Sequence, residues 1–218
     1  MQMFGTKKAF VFDLDGTLLD TLDDLTAAVN HALTLHAMPR RTPQQVRRFL
    51  GNGIAKLMEC AVPGGRDNPL YPTALADFKA YYVLHCLDAT RPYPGITEML
   101  EALHRHGLLL AIVSNKLQAG VTELHQRFFS NHISVAIGES EGIRRKPAPD
   151  MVMAALHKLQ VTPEDAVYVG DSEVDLATAR ASQLPCISVL WGFRDRQQLI
   201  DSGATTLVET PGQILTLI

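Results

Sequence analysis

A chain of 218 residues with a net charge of −3, from 20 Lys and Arg against 23 Asp and Glu, is long enough for one large domain or two unequal ones. No basic block stands out, so nucleic acid is not an expected partner. The longest apolar runs, such as Leu108–Val113, are too short to span a bilayer, and Met1 to Lys8 lacks the apolar region of a signal peptide, so a cytoplasmic protein is expected. Cys60, Cys86 and Cys186 are odd in number and form no C-x-x-C pair, which suits three reduced thiols packed as small hydrophobes.

In chain order, Phe10-Val11-Phe12 is a β-favouring apolar run that ends abruptly at Asp13, which predicts a buried strand over residues 8–13. Asp15 follows two positions on; Gly16 then permits a sharp turn and Thr17 offers a hydroxyl. A calcium loop would need Gly at its sixth position and Glu at its twelfth. Counted from Asp13, Gly16 is fourth and the twelfth is Asp24, so that reading fails. Helix-terminal capping accounts for Asp20, Thr21, Asp23 and Asp24 but not for Asp13, which abuts the buried run.

Apolar residues from Leu22 to Leu35 recur at helical spacing, and Thr42-Pro43-Gln44-Gln45 carries a cap and a Pro just inside a second helix. Gly51-Asn52-Gly53 precedes a third helix over Ile54–Val62, the Pro63–Pro69 stretch is a loop on composition, and a fourth helix is expected over Thr73–Leu87. Beyond Pro92-Tyr93-Pro94-Gly95 helix and strand alternate. Helices are expected at about 95–106, 119–129, 150–159 and 174–182. They are interleaved with strands at 108–113, 134–138, 166–169, 186–190 and 206–208. That alternation predicts right-handed crossovers and a parallel sheet covered on both faces. The first strand must join the same sheet, because it cannot stand alone beside a helical segment. The predicted fold is therefore α/β: a doubly wound parallel sheet, Rossmann-like, formed by residues 1–17 and 93–218, with an inserted all-helical cap domain at 18–92.

Ligands of open parallel sheets bind beyond the carboxyl ends of the strands. Those ends supply Asp13 and Asp15, then Ser114-Asn115-Lys116, then Lys146 in a loop, then Gly170-Asp171. Taken singly, each has an ordinary structural explanation. Ser114-Asn115 reads as a turn, Lys146 as a solvated cation, and Ser172-Glu173-Val174-Asp175 as a capping box. Together, Asp13, Asp15 and Asp171 with one hydroxyl and one ammonium suit metal-assisted phosphoryl transfer. Oxygen donors at this density favour Mg²⁺, and Ser114 and Lys146 would bind phosphate oxygens. A carboxylate can itself attack phosphorus to give an aspartyl-phosphate.

Asp13-Leu14-Asp15-Gly16-Thr17, Ser114-Asn115, Lys146-Pro147 and Gly170-Asp171-Ser172 to Asp175, in that order, resemble the four motifs of the haloacid dehalogenase-like superfamily. The resemblance implies Asp13 as nucleophile and Asp15 as general acid, then base. It implies Ser114, Asn115 and Lys146 as phosphate ligands, and Mg²⁺ held by Asp13, the Asp15 backbone carbonyl and Asp171. Thr17 and Asp175 are implied as supporting residues. Dehalogenases and phosphonate-cleaving members lack an acid at the Asp15 position, which leaves phosphatase or phosphomutase. Sugar phosphomutases usually carry a His where this chain has Leu25, which counts against a transferase. A non-catalytic phosphate-binding module is disfavoured by the intact set of side chains. The stretch Gly51 to Glu59, with Pro92–Gly95, Val113-Ser114-Asn115-Lys116 and Trp191-Gly192-Phe193-Arg194, is similar to the phosphoglycolate phosphatases. That similarity implies a small phosphorylated metabolite as partner, with Gly51, Asn52, Gly53 and Lys56 of the cap choosing the substrate.

Overall fold

In the computed structural model, which describes residues 3–218, six strands form one parallel sheet ordered β5-β4-β1-β6-β7-β8. They are β1 (Ala9–Phe12), β4 (Leu109–Leu117), β5 (Val135–Glu139), β6 (Ala166–Gly170), β7 (Cys186–Val189) and β8 (Thr206–Val208). Two further strands, β2 (Leu19–Asp20) and β3 (Arg91–Pro92), pair as a two-residue ribbon where the chain leaves and rejoins the sheet-bearing part. All four residues of β1 are fully buried, so both faces of the sheet are covered. Ala9 and Val11 point to one side, into a cluster with Val113, Ile137, Val152 and Leu156; Phe10 and Phe12 belong to the other and stack with ring centroids 6.2 Å apart.

The chain divides into two units. One comprises the stretch ending at Leu19 together with Pro92–Ile218; the other is Asp20–Arg91. Leu18 and Leu19 stay with the sheet because both are fully buried there and their carbonyls accept from Tyr93 N and Gly16 N. In the sheet unit the crossovers are α5 (Ile96–Arg105), α6 (Gln118–Phe128), α7 (Asp150–Leu159) and α8 (Glu173–Ala181), followed by α9 (Arg196–Asp201) and α10 (Pro211–Ile214). Helix α5 ends where Gly107 adopts φ +75°.

The second unit holds α1 (Leu22–Leu35), α2 (Pro43–Phe49), α3 (Gly53–Ala61) and α4 (Tyr71–His85), with a single 3₁₀ turn at Gly65–Asp67 inside the expected loop. Thr42 and Gln45 form a capping box for α2. The capping expectation for the start of α1 is only partly met. Asp20 Oδ1 accepts from Leu22 N at 3.3 Å, whereas the Thr21 hydroxyl makes no cap bond. Asp24 is buried and instead accepts from Ala89 N and Thr90 N, so its carboxylate ties the first turn of α1 to the end of the insertion. Among the described residues all three cysteines are free, and no helix is long and apolar enough to cross a membrane.

Candidate active site

Strand order reverses at β1, which lies between β4 and β6. The carboxyl ends of these three strands therefore open the crevice where a doubly wound sheet binds its ligand. Asp13 follows β1, Ser114 to Lys116 lie at the end of β4, and Asp171 follows β6. In β4 three residues, Ser114 to Lys116, face one residue of β5, because the register shifts between Val113↔Ile137 and Leu117↔Glu139. An irregularity of this kind re-aims side chains at a strand end.

Lys146 is the hub. It comes from the loop between β5 and α7, and Asn115 holds its backbone at both ends: Asn115 Oδ1 accepts from Lys146 N at 2.8 Å, and Asn115 Nδ2 donates to Lys146 O at 3.1 Å. Its ammonium has three N–H groups and meets three oxygens: Asp13 Oδ1 at 2.6 Å, Asp175 Oδ1 at 2.8 Å and the Tyr168 hydroxyl at 3.2 Å. Asp175 also accepts from the Tyr168 hydroxyl at 2.9 Å, from Ser172 Oγ at 2.6 Å and from the backbone N–H groups of Asp171 and Ser172. Ser172 and Asp175 form the expected capping box of α8. The same carboxylate thus caps a helix and anchors Lys146.

One oxygen from each of Asp13, Asp171 and Asp175 lies within 4.8 Å of the others, and all three residues are buried around a single ammonium. Burial, then repulsion from Asp175, raises the Asp13 carboxyl well above its ordinary range despite Lys146. The same two causes push Asp171 up to about 7. Asp175 is also opposed by burial, yet Lys146 and the hydrogen bonds from Ser172 and Tyr168 outweigh it and hold its pKa below the usual value. Burial works against the Lys146 charge too, but Asp13 and Asp175 overcome it and the net shift is upward. Surplus negative charge among hard oxygen donors is the electrostatic signature of a divalent-cation site. Asp175 already accepts five hydrogen bonds, so the carboxylates left for a cation are Asp13 and Asp171. The Asp15 carboxylate is not part of this cluster and pairs with Lys116 at 3.2 Å.

The turn residues are packed too tightly for side chains. A Cβ on Gly16, which adopts φ +92°, would lie 2.5 Å from Asp171 Oδ2. One on Gly192 would lie 2.3 Å from Asp171 Cβ and 2.4 Å from Gly16 O. Asp171 is held further by Phe193 N, which donates to Oδ2 at 2.7 Å, and by the Thr17 hydroxyl at 3.4 Å from Oδ1. Trp191 Nε1 donates to Thr17 O at 2.9 Å, and Arg194 pairs with Glu173 through two nitrogens. The segment after β7 therefore braces both Asp171 and the turn after Asp13. Ser114 is buried, and its hydroxyl accepts from Lys116 N at 3.2 Å.

Gly51, Asn52, Gly53 and Lys56 belong to the helical unit, at the start of α3. Gly51 and Gly53 take φ +110° and +77°, and Lys56 pairs with Glu59 at 2.6 Å. Two further residues belong to the site without a motif in the sequence to mark their tasks. Tyr168 was only part of a strand, although its hydroxyl among Ala, Val and Gly neighbours needed a buried partner. Lys116 stood in the polar set after β4 but had no stated task.

The sequence matches the family model of the haloacid dehalogenase-like hydrolases over residues 10–189. It is 31% identical to phosphoglycolate phosphatase 1 of Pseudomonas aeruginosa, over 97% of this chain and 80% of that protein. It is 28% identical to the N-acetylmuramic acid 6-phosphate phosphatase of the same organism, over 97% of this chain and 94% of the relative. A crystal structure from Lactobacillus delbrueckii subsp. bulgaricus, provisionally assigned as a phosphoglycolate phosphatase, superposes with a TM-score of 0.92 at 36% identity, covering 98% of this chain and 97% of that one.

Proposed function

The chain belongs to the haloacid dehalogenase-like hydrolases, in their phosphatase branch, and from that premise we propose that it hydrolyses a small organic phosphomonoester with Mg²⁺ as cofactor, 2-phosphoglycolate being the first substrate to test. The observation that carries the reading is the buried ammonium of Lys146 set 2.6 Å from the Asp13 carboxylate at the switch point of the sheet. Lys146 engages one oxygen of Asp13, fixing the carboxylate so that the other can attack phosphorus. In that step the bond from Asp13 to phosphorus forms, the bond to the leaving oxygen breaks, and Asp15 gives that oxygen its proton. Asp15 then takes a proton from the water that cleaves the aspartyl-phosphate.

Ser114 and the backbone beside Asn115 are suited to the phosphate oxygens, and Lys146 would reach one by giving up its 3.2 Å contact with the Tyr168 hydroxyl; the Asn115 side chain is already committed to Lys146. Asp13, the Asp15 carbonyl and Asp171 would hold Mg²⁺, which supplies positive charge against the phosphate and the surplus carboxylates. Thr17 and Asp175 support Asp171 and Lys146. Substrate choice is assigned to Gly51, Asn52, Gly53 and Lys56 of the helical unit, and the protein is assigned to the cytoplasm. The test is phosphate release, with Mg²⁺, from 2-phosphoglycolate, N-acetylmuramic acid 6-phosphate and hexose phosphates. Release from a small phosphate is expected; isomerised sugar phosphate without release, or no reaction with any, would overturn the proposal.

A further inference from the structure

Lys116 is a half-buried cation for which the proposed reaction has no stated use. Its side chain is 9% exposed, and its ammonium lies 3.2 Å from Asp15 Oδ1 and 3.5 Å from Oδ2, so one ammonium addresses both oxygens of that carboxylate. The placement is built by several elements. Lys116 is the last residue of the β4 irregularity, and its backbone N–H is fixed by the Ser114 hydroxyl. On the β5 side, Gly138 has no side chain where a Cβ would lie 2.7 Å from Lys116 O, and Gly138 N donates to Gln118 Oε1 at 2.7 Å. The aliphatic stem runs beside Gly120, whose missing Cβ would touch Cγ, Cδ and Cε at 3.5–3.6 Å. Asp15, by contrast, stands at the start of the turn over residues 16–18, outside the six-stranded sheet, where it makes an isolated bridge to Leu19. A carboxylate that must meet a leaving oxygen needs a fixed direction, and a partner reaching both oxygens supplies one.

We infer that Lys116 is the positioning residue for Asp15, holding its carboxyl group in the orientation from which the acid form protonates the leaving group; this rests on the reading of Asp15 as the general acid. When Asp15 passes its proton to the departing oxygen, the carboxylate it becomes already faces an ammonium, so the charge left behind is met without rearrangement. The effect is therefore confined to leaving groups that need a proton. An alkoxide needs one; p-nitrophenolate, stabilised by its ring, leaves without it.

The experiment compares kcat/KM, which reports the steps up to the first bond cleavage, for glycerol 3-phosphate, p-nitrophenyl phosphate and 2-phosphoglycolate in wild type, Lys116→Met and Lys116→Arg. Lys116→Met is expected to lose about 10²-fold on glycerol 3-phosphate, the lower end of what general acid catalysis contributes, and less than about threefold on p-nitrophenyl phosphate. Lys116→Arg is expected to recover most of the difference. Each comparison is a ratio within one protein preparation, so a reduced folded fraction cancels. Equal losses on the alkyl and aryl substrates, or no loss on either, would overturn the role. A loss confined to 2-phosphoglycolate would also overturn it, since it would mean that Lys116 binds that substrate's carboxylate. Failure of wild type to release phosphate from all three would instead refute the phosphatase reading itself.

Discussion

Gly192→Ala isolates how tightly Asp171 is packed. Gly192 does not adopt a positive φ, so alanine suffers no backbone strain there and the whole effect must come from one methyl group. That methyl would sit 2.3 Å from Asp171 Cβ, 2.4 Å from Gly16 O and 2.6 Å from Asp171 Oδ2. None of these atoms is the far end of a flexible chain, and Gly16 is itself pressed against Asp171 and the Phe193 ring. Overpacking of this kind costs about 1–3 kcal/mol. For a chain of 218 residues that corresponds to a fall of about 2–12 °C in the thermal midpoint. Because the clash falls on a carboxylate assigned to the cation, the rise in midpoint on adding Mg²⁺ should also shrink. Gly212→Ala is the control: no atom lies within 4 Å of its Cβ, so the midpoint should stay or rise slightly. A Gly192→Ala protein with the wild-type midpoint and the wild-type response to Mg²⁺ would refute the packing argument.

Two other perturbations follow from the same network. Tyr168→Phe removes a hydroxyl that donates to Asp175 and accepts from Lys146. Both partners keep other bonds, so a loss of about 1–3 kcal/mol, with turnover reduced but not abolished, is expected from chemical unfolding and phosphate release. Without divalent cation, stability should depend on pH in the direction set by Asp13 and Asp171. Both folded pKa values are raised, that of Asp171 from 3.8 to about 7, so the Asp171 contribution is fully present below about pH 4 and is lost as pH rises through about 7, and Asp13 acts in the same direction. Thermal midpoints in chelator should therefore fall from about pH 5 to about pH 8, and Mg²⁺ should raise the midpoint more at the higher pH. An equal effect of Mg²⁺ at both would contradict the charge balance.

Much of this architecture is legible in the residue pattern. Helix α7 and strand β8 have the expected bounds, and the order of the strand-end polar sets anticipates which residues meet around Lys146. The losses have physical causes. Helices α9 and α10 are too short for a period to emerge, although Asp195 with Gln198 and Thr210 with Gln213 carry capping-box spacing that could have marked them. Strand β4 runs on to Leu117 because the irregularity after Val113 keeps a polar segment on the sheet, where composition suggested a turn. Tyr168 and Lys116 owe their places to contacts across 7 to 101 positions of sequence, which no local pattern encodes. Asp24 looked like a helix cap, but what it binds lies 65 and 66 residues away.

The proposed reaction turns on an oxygen of Asp13 bonding to phosphorus. The direct measurement is acid quench during turnover of a phosphomonoester, followed by mass spectrometry of the digested protein, in wild type and Asp13→Asn. A phosphoryl group is expected on the peptide carrying Asp13 in wild type, and a folded Asp13→Asn protein is expected to show neither that adduct nor phosphate release. Substantial turnover by Asp13→Asn, or a phosphoryl group on another residue, would contradict it.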